Sequence, residues 1–106
     1  MKTAKLNKML DSLGFRESSA GTNDIRRAVG IVEDNDAALM CKDVYPVLAD
    51  GDRAEMARIE RRMRGAIATA MKSPVWDEAW REMGGWGTPT NSELIRRLAR
   101  EMRDED

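Results

Sequence analysis

Histidine is absent from the 106-residue chain, and cysteine occurs once. The first absence removes the commonest general base and the commonest metal ligand, and a single thiol leaves no zinc site to assemble. One cysteine also excludes an internal disulfide, which fits a reducing cytoplasm. No run of about 18 apolar residues is present, so no membrane span is expected. The start Met1-Lys2-Thr3-Ala4-Lys5 leads into no apolar segment of a secretory signal. Aromatics make up only 5% of the chain, and no stretch alternates polar and apolar residues as a half-buried strand does. Gly84-Gly85-Trp86-Gly87 is glycine-rich, but no Lys-Ser/Thr follows and no strand precedes it, which argues against a phosphate-binding loop. Asp34 and Asp36 fall at a helix start, where capping accounts for them. The chain shows no active site and no cofactor site, and it reads as a binding protein, not an enzyme.

What is present is helical periodicity from end to end. Leu6, Met9, Leu10 and Leu13 share a face, and Gly14 closes that element. A Ser-rich loop follows, from which Phe15 returns to the core. Thr22 or Asn23 caps a second helix to about Glu33, with Ile25, Ala28, Val29 and Val32 inward. Asn35-Asp36 caps a third, Ala37 to Asp50, which Pro46 bends or breaks near Val44-Tyr45. Cys41 falls among Ala38, Tyr45 and Leu48 at helical spacing and is expected to be a buried, inert thiol. Ser73-Pro74 opens a short fifth helix carrying Trp76 and Trp80, which read as core in preference to a partner anchor. Thr90 with Glu93 forms a capping box for a last helix through Arg103, with Leu94, Ile95, Leu98 and Met102 inward. The tail Asp104-Glu105-Asp106 is expected to fray. These elements predict an all-α fold, a compact six-helix bundle in one domain over residues 1–106.

The fourth helix, residues 53–71, organises the rest. At 100° per residue Met56, Ile59, Met63, Ala66, Ile67 and Ala70 fall on one side. The other side carries Arg58, Arg61 and Arg64, separated by Ala57, Gly65 and Ala68. Small residues between guanidiniums let a flat, grooved, anionic surface approach the backbone. Gly65 in a helix interior costs roughly 1 kcal/mol relative to Ala, and close approach is a reason for it. The competing reading is a solvent face laced by salt bridges from Glu55 and Glu60. Upstream, Gly51 suits the left-handed position after a helix end, and Asp52 with Glu55 reads as an N-cap with its capping-box partner. Two helices joined by a short glycine turn, the second rich in Arg, have the layout of a helix-turn-helix. The formal charge of −1 speaks against a nucleic-acid binder. However, residues 53–66 hold 5 basic and 2 acidic groups, against 7 and 9 in residues 1–52. The positive charge is local, so non-specific DNA binding is expected to be weak.

Three motifs in order carry a family resemblance. Tyr45-Pro46, then Ala57-Arg58-Ile59-Glu60-Arg61-Arg62-Met63-Arg64-Gly65-Ala66-Ile67, and later Pro89-Thr90-Asn91-Ser92-Glu93 closely resemble the C-terminal effector domain of the stage 0 sporulation protein A family. The resemblance implies a six-helix bundle containing a helix-turn-helix, acting as a DNA-binding transcription regulator. By position it implies that Glu60, Arg61 and Arg64 read bases and that Arg58 contacts phosphate. Arg can donate two bonds to guanine, and Glu can accept from cytosine N4. The family's Ser before Arg58 is Ala57 here and its His after Arg64 is Gly65, which removes two phosphate contacts. Arg62 replaces a small residue and is expected to supply a new one. Segment Lys72 to Thr88, which in the family includes surface used against the RNA polymerase sigma subunit, differs considerably. The family's receiver domain finds no room in the chain, so phosphorylation-driven dimerisation is not the expected switch. Implied partners are double-stranded DNA and the sigma subunit, with a monomer in solution that pairs head-to-tail on adjacent sites. The alternative is a helical interaction module that has lost DNA reading and binds a sigma factor or a sibling regulator.

Overall fold

The apolar stripes become six α-helices, and no strand occurs among the described residues. The computed structural model describes residues 2–104, with side chains from residue 4 onward. Residues 105 and 106 lie outside that range, and with them most of the tail expected to fray. Helix α1 (Lys2–Ser12) buries Leu6 and Leu10, with Leu13 just beyond its end. Gly14 then turns the chain at a φ of 92°, and the Phe15 amide donates to the Leu10 carbonyl at 3.0 Å. Phe15 is thereby folded back under the helix it follows, as expected.

Helix α2 (Ala20–Asp34) packs most extensively of all the elements, lying against both α4 (Arg53–Met71) and α6 (Asn91–Arg103). Its inward stripe is the expected Ile25, Ala28, Val29 and Val32. Its start differs from expectation. The cap is Ser19, in extended backbone, whose hydroxyl accepts the Thr22 amide at 3.5 Å. Thr22 and Asn23 lie inside the helix. Packing selects this earlier cap over the expected Thr22 or Asn23, because Gly21 lies against the backbone of α4. A Cβ at Gly21 would meet the Arg62 carbonyl oxygen at 2.2 Å. Only glycine allows that approach.

The third helix departs furthest. Asn35 Oδ1 accepts the Ala37 amide at 3.1 Å and makes a turn, not a helix start. The chain enters a wide π turn, Met40–Val44, in which the Val44 amide reaches back five residues to the Leu39 carbonyl at 3.2 Å. It then narrows into α3 (Tyr45–Leu48), with Pro46 in the first turn. The expected break at Val44-Tyr45 is thus a change of helical pitch. The wider turn carries one residue more than an α turn, which rotates Cys41 off the Tyr45 and Leu48 face. Cys41 is exposed, contrary to the buried thiol that α spacing predicts. Arg96 on α6 donates to the Asp36 and Ala38 carbonyls and fastens the loop before this turn.

After α3 the Gly51 amide bonds to the Pro46 carbonyl at 2.9 Å and the Asp50 amide to the Val47 carbonyl at 3.3 Å. That pair of bonds is a Schellman stop. Its left-handed position belongs to Asp50, at a φ of 52°, and Gly51 continues it at 81°. Helix α4 follows with the bounds the sequence predicts. Helix α5 (Trp76–Glu82) starts later than Ser73-Pro74, which form a preceding turn closed by the Trp76 amide on the Ser73 carbonyl. Trp76 and Trp80 stack in the core at 5.5 Å, and Phe15 meets Trp76 edge-on at 6.2 Å. Helix α6 opens with the full Thr90–Glu93 capping box. It lies beside α1, where Lys5 Nζ donates to the Glu101 carbonyl at 2.8 Å.

Two glycines test this arrangement. Gly51→Ala strains a left-handed backbone in open space and should lower unfolding stability by about 1 kcal/mol. Gly21→Ala forces two backbones apart and should cost more, about 2–3 kcal/mol, in the range of overpacked cores. Denaturant unfolding of both variants gives the order directly, and an equal or reversed order would overturn the close-approach account of Gly21.

Candidate nucleic-acid interface

Helix α4 is seated on three sides before its outer face is considered. Ile59, Met63, Ile67 and Ala70 are buried against the bundle. Asp52 caps the start, its Oδ1 accepting the Ala54 amide at 2.9 Å and the Glu55 amide at 3.3 Å. The expected reciprocal bond from Glu55 is not made. Its carboxylate turns along the helix to Arg58 Nε at 2.7 Å and to an Arg62 terminal nitrogen at 3.4 Å. Those bonds, Arg58 first, hold the Glu55 carboxyl below the usual glutamate range.

A second restraint comes from the far motifs. Asn91 Nδ2 donates to the Tyr45 hydroxyl at 3.0 Å and to the Glu60 carbonyl at 3.1 Å. Both Asn91 and Tyr45 are buried. Burial pushes the Tyr45 phenol above its ordinary value, so it remains a neutral acceptor. One amide therefore ties α6, α3 and α4 together at the level of Glu60.

The third restraint is an ion pair that the residue pattern did not reveal. Asp24 on α2 is buried, and Arg62 Nε donates to its Oδ2 at 2.8 Å while a terminal nitrogen reaches Oδ1 at 3.3 Å. The Asp24 side chain is 5% exposed and that of Arg62 is 36%. The bonds to Asp24, ahead of all other influences, raise the Arg62 guanidinium above its ordinary value. Arg62 is committed to holding α4 on α2. An acid in the inward register of α2, among Ile25 and Ala28, was the available signal.

The remaining polar residues make the outer face. Arg61 is exposed at its centre and has no hydrogen bond or ion pair with any described residue. Ala57, Gly65 and Ala68 are exposed around it, and nothing lies within 4 Å of where a Gly65 Cβ would stand. On one flank Arg64, its side chain 66% exposed, pairs with Glu60 at 3.2 Å. On the other flank Arg58 pairs with Glu55. Exposed pairs of this kind are screened by water and contribute little, so an incoming anion or base edge can take either guanidinium at small cost. The structure thus brings Arg58, Glu60, Arg61 and Arg64 to one surface and turns Arg62 away from it.

That surface sits on a chain whose residues 6–102 match the family model described as the sporulation initiation factor Spo0A C terminal. The chain belongs to that family. Its members are DNA-binding effector domains of a sporulation transcription factor, not enzymes. No solved structure matches the chain. The family motifs acquire physical meaning here, since Tyr45 and Asn91 are the partners that fix the level of Glu60. No group of residues that could hold a metal ion occurs among the described residues. No helix among the described residues is long and apolar enough to cross a membrane. Trp86, in the glycine-rich segment, stands 84% exposed while Trp76 and Trp80 are buried.

Arg62→Ala should cost about 3 kcal/mol, the low end for leaving a buried charge unpaired, because Arg62 itself is partly solvated. Asp24→Ala added to it should return part of that loss. A double-mutant cycle measured by denaturant unfolding checks the coupling, and additive effects would remove Arg62 from its holding role.

Proposed function

We propose that this chain is a sequence-specific DNA-binding transcription regulator, acting in the cytoplasm where its target DNA lies. In this reading α3, the Schellman turn and α4 form a helix-turn-helix with α4 in the major groove. The observation that carries it is the unpartnered Arg61 at the centre of a small-residue face, with Arg64 and Glu60 beside it. Arg61 and Arg64 donate to guanines, and Glu60 accepts from a cytosine amino group. Arg58 contacts phosphate, exchanging its bond to Glu55. Arg62, the other expected phosphate contact, is bonded to Asp24 and can meet a phosphate only by sharing its guanidinium. With so few phosphates neutralised, affinity for random DNA is low and depends on salt.

A second reading has one observation in its favour. Trp86 is exposed and the net charge is −1, which suits a protein-interaction module bound to a sigma factor or a sibling regulator. Selection from random DNA followed by a salt-series mobility shift separates the two. Arg61→Ala should cost about 1–3 kcal/mol on the selected site and relax preference at one position. Arg58→Ala should weaken all sequences alike and reduce the salt slope by about one unit. Gly65→Glu should abolish binding while leaving helix content intact. Failure to recover any preferred site, or identical behaviour of the Arg58 and Arg61 variants, sinks these roles.

The assembly that goes with this reading is a monomer in solution that pairs head-to-tail on tandem sites. Sedimentation of the free protein at micromolar concentration should give a single monomeric species. A stable dimer without DNA rules that assembly out.

A further inference from the structure

Beside the outer face of α4 lies a cleft of about 520 Å³ between α4 and the loop that leads into α2. Gly65 belongs both to this cleft and to the outer face, so the cleft opens onto the surface proposed to meet DNA. Its cationic side chains are Arg16 and Arg62, and Ser18, Ser19 and Thr69 bring hydroxyls to it. No acidic residue lines it. Asp24 offsets the charge of Arg62, which leaves Arg16, exposed and without a partner among the described residues, as the uncompensated cation.

The far wall is the first turn of α2. The amides of Ala20 and Gly21 come too early in the helix to have an acceptor within it. The turn carries no acidic residue that would answer the positive end of the helix dipole. An independent observation points the same way. Thr22, which also lines the cleft, is 1% exposed, and its hydroxyl has no hydrogen-bond partner among the described residues. A buried polar group without a partner carries a desolvation penalty that a ligand can relieve. Free amides, a free guanidinium and an orphaned hydroxyl around one opening form the chemistry of an anion seat.

We propose that this cleft seats one phosphate of the DNA backbone, on the flank of the groove that α4 enters. The proposal rests on the DNA-binding reading above and adds to it a second anchoring element, α2. Because Gly21 is in backbone contact with α4, the seat is rigidly placed relative to Arg58 and Arg61. A phosphate held there fixes the angle at which α4 enters the groove. Such contacts set register and orientation without reading sequence.

Two substitutions test the seat without unfolding it. Arg16→Ala removes the free cation from an exposed loop. Ala20→Glu, at an exposed first-turn position, supplies a carboxylate that suits the helix dipole while occupying the anion's place. Mobility shifts are measured between about 50 and about 200 mM salt on the selected duplex and on a scrambled duplex. Each variant should weaken both duplexes by a similar factor and make the slope of log affinity against log salt shallower by about one unit. Thermal unfolding of Ala20→Glu should match or exceed wild type, which excludes damage to α2 as the cause. Unchanged slopes in both variants, with wild-type specificity intact, overturn the seat and leave the base-reading roles standing. A wild-type protein that shifts neither duplex overturns the DNA-binding reading and the seat together. Amide shifts of Ala20 and Gly21 that saturate with inorganic phosphate alone, alongside unchanged DNA slopes, overturn it in favour of a free-anion site.

Discussion

The contact between the first turn of α2 and the middle of α4 governs the rest of the molecule. There the Gly21 backbone lies against the Arg62 carbonyl, and one turn further along α2 the carboxylate of Asp24 takes the Arg62 guanidinium. Close backbone approach and an ion pair with a buried carboxylate are both intolerant of displacement, the first sterically and the second because Asp24 would be left buried without its partner. Together they fix the rotation of α4 about its own axis. Rotation decides which arginines face outward. A turn of α4 by one residue would bury Arg61 or expose Ile59, so the outer face exists only because this inner contact is rigid.

The Asn91 amide does related work along the helix axis. It is bonded at once to the Tyr45 hydroxyl and to a carbonyl within α4, so it resists sliding as well as rotation. These restraints come from α2 and from α6 acting with Tyr45 of α3, and α2 and α6 are distant from the middle of α4 in sequence. The side chains on the outer face are held by much less. Arg58 and Arg64 rest in exposed ion pairs, and Arg61 has no partner among the described residues. The scaffold is stiff where position matters and soft where a partner must be accommodated.

Much of this was legible in the residues, and the failures have identifiable physical causes. Helix α4 was readable end to end because Asp52, the apolar stripe and Ser73-Pro74 all act locally. The Thr90–Glu93 box was readable for the same reason. The start of α2 was not, because several hydroxyl residues could cap it and a tertiary contact at Gly21 made the choice. Cys41 was misread because α spacing was assumed across a segment whose hydrogen bonds span five residues. Of the site residues, Arg58, Arg61 and Arg64 lie where helical periodicity puts them, and Glu60 joins them through its pair with Arg64. Arg62 sits only one residue from Arg61, and 100° of rotation is enough to carry it from the outer face to the α2 side. Its partner Asp24 is 38 residues away, beyond anything a local pattern can show.

The order in which the helices appear along the chain has a consequence for synthesis. Helix α2 leaves the ribosome well before α6, one of its two main partners. Until residues 91–103 are out, Ile25, Val29 and Val32 have only part of their cover, and Glu60 lacks the Asn91 bond. A nascent chain stalled short of that point carries the arginine-bearing face on a helix that α2 holds but Asn91 does not yet fix. The bundle therefore cannot close until α6 has left the ribosome, and a chain cut within α6 loses the packing of α1 and α2 in the same stroke.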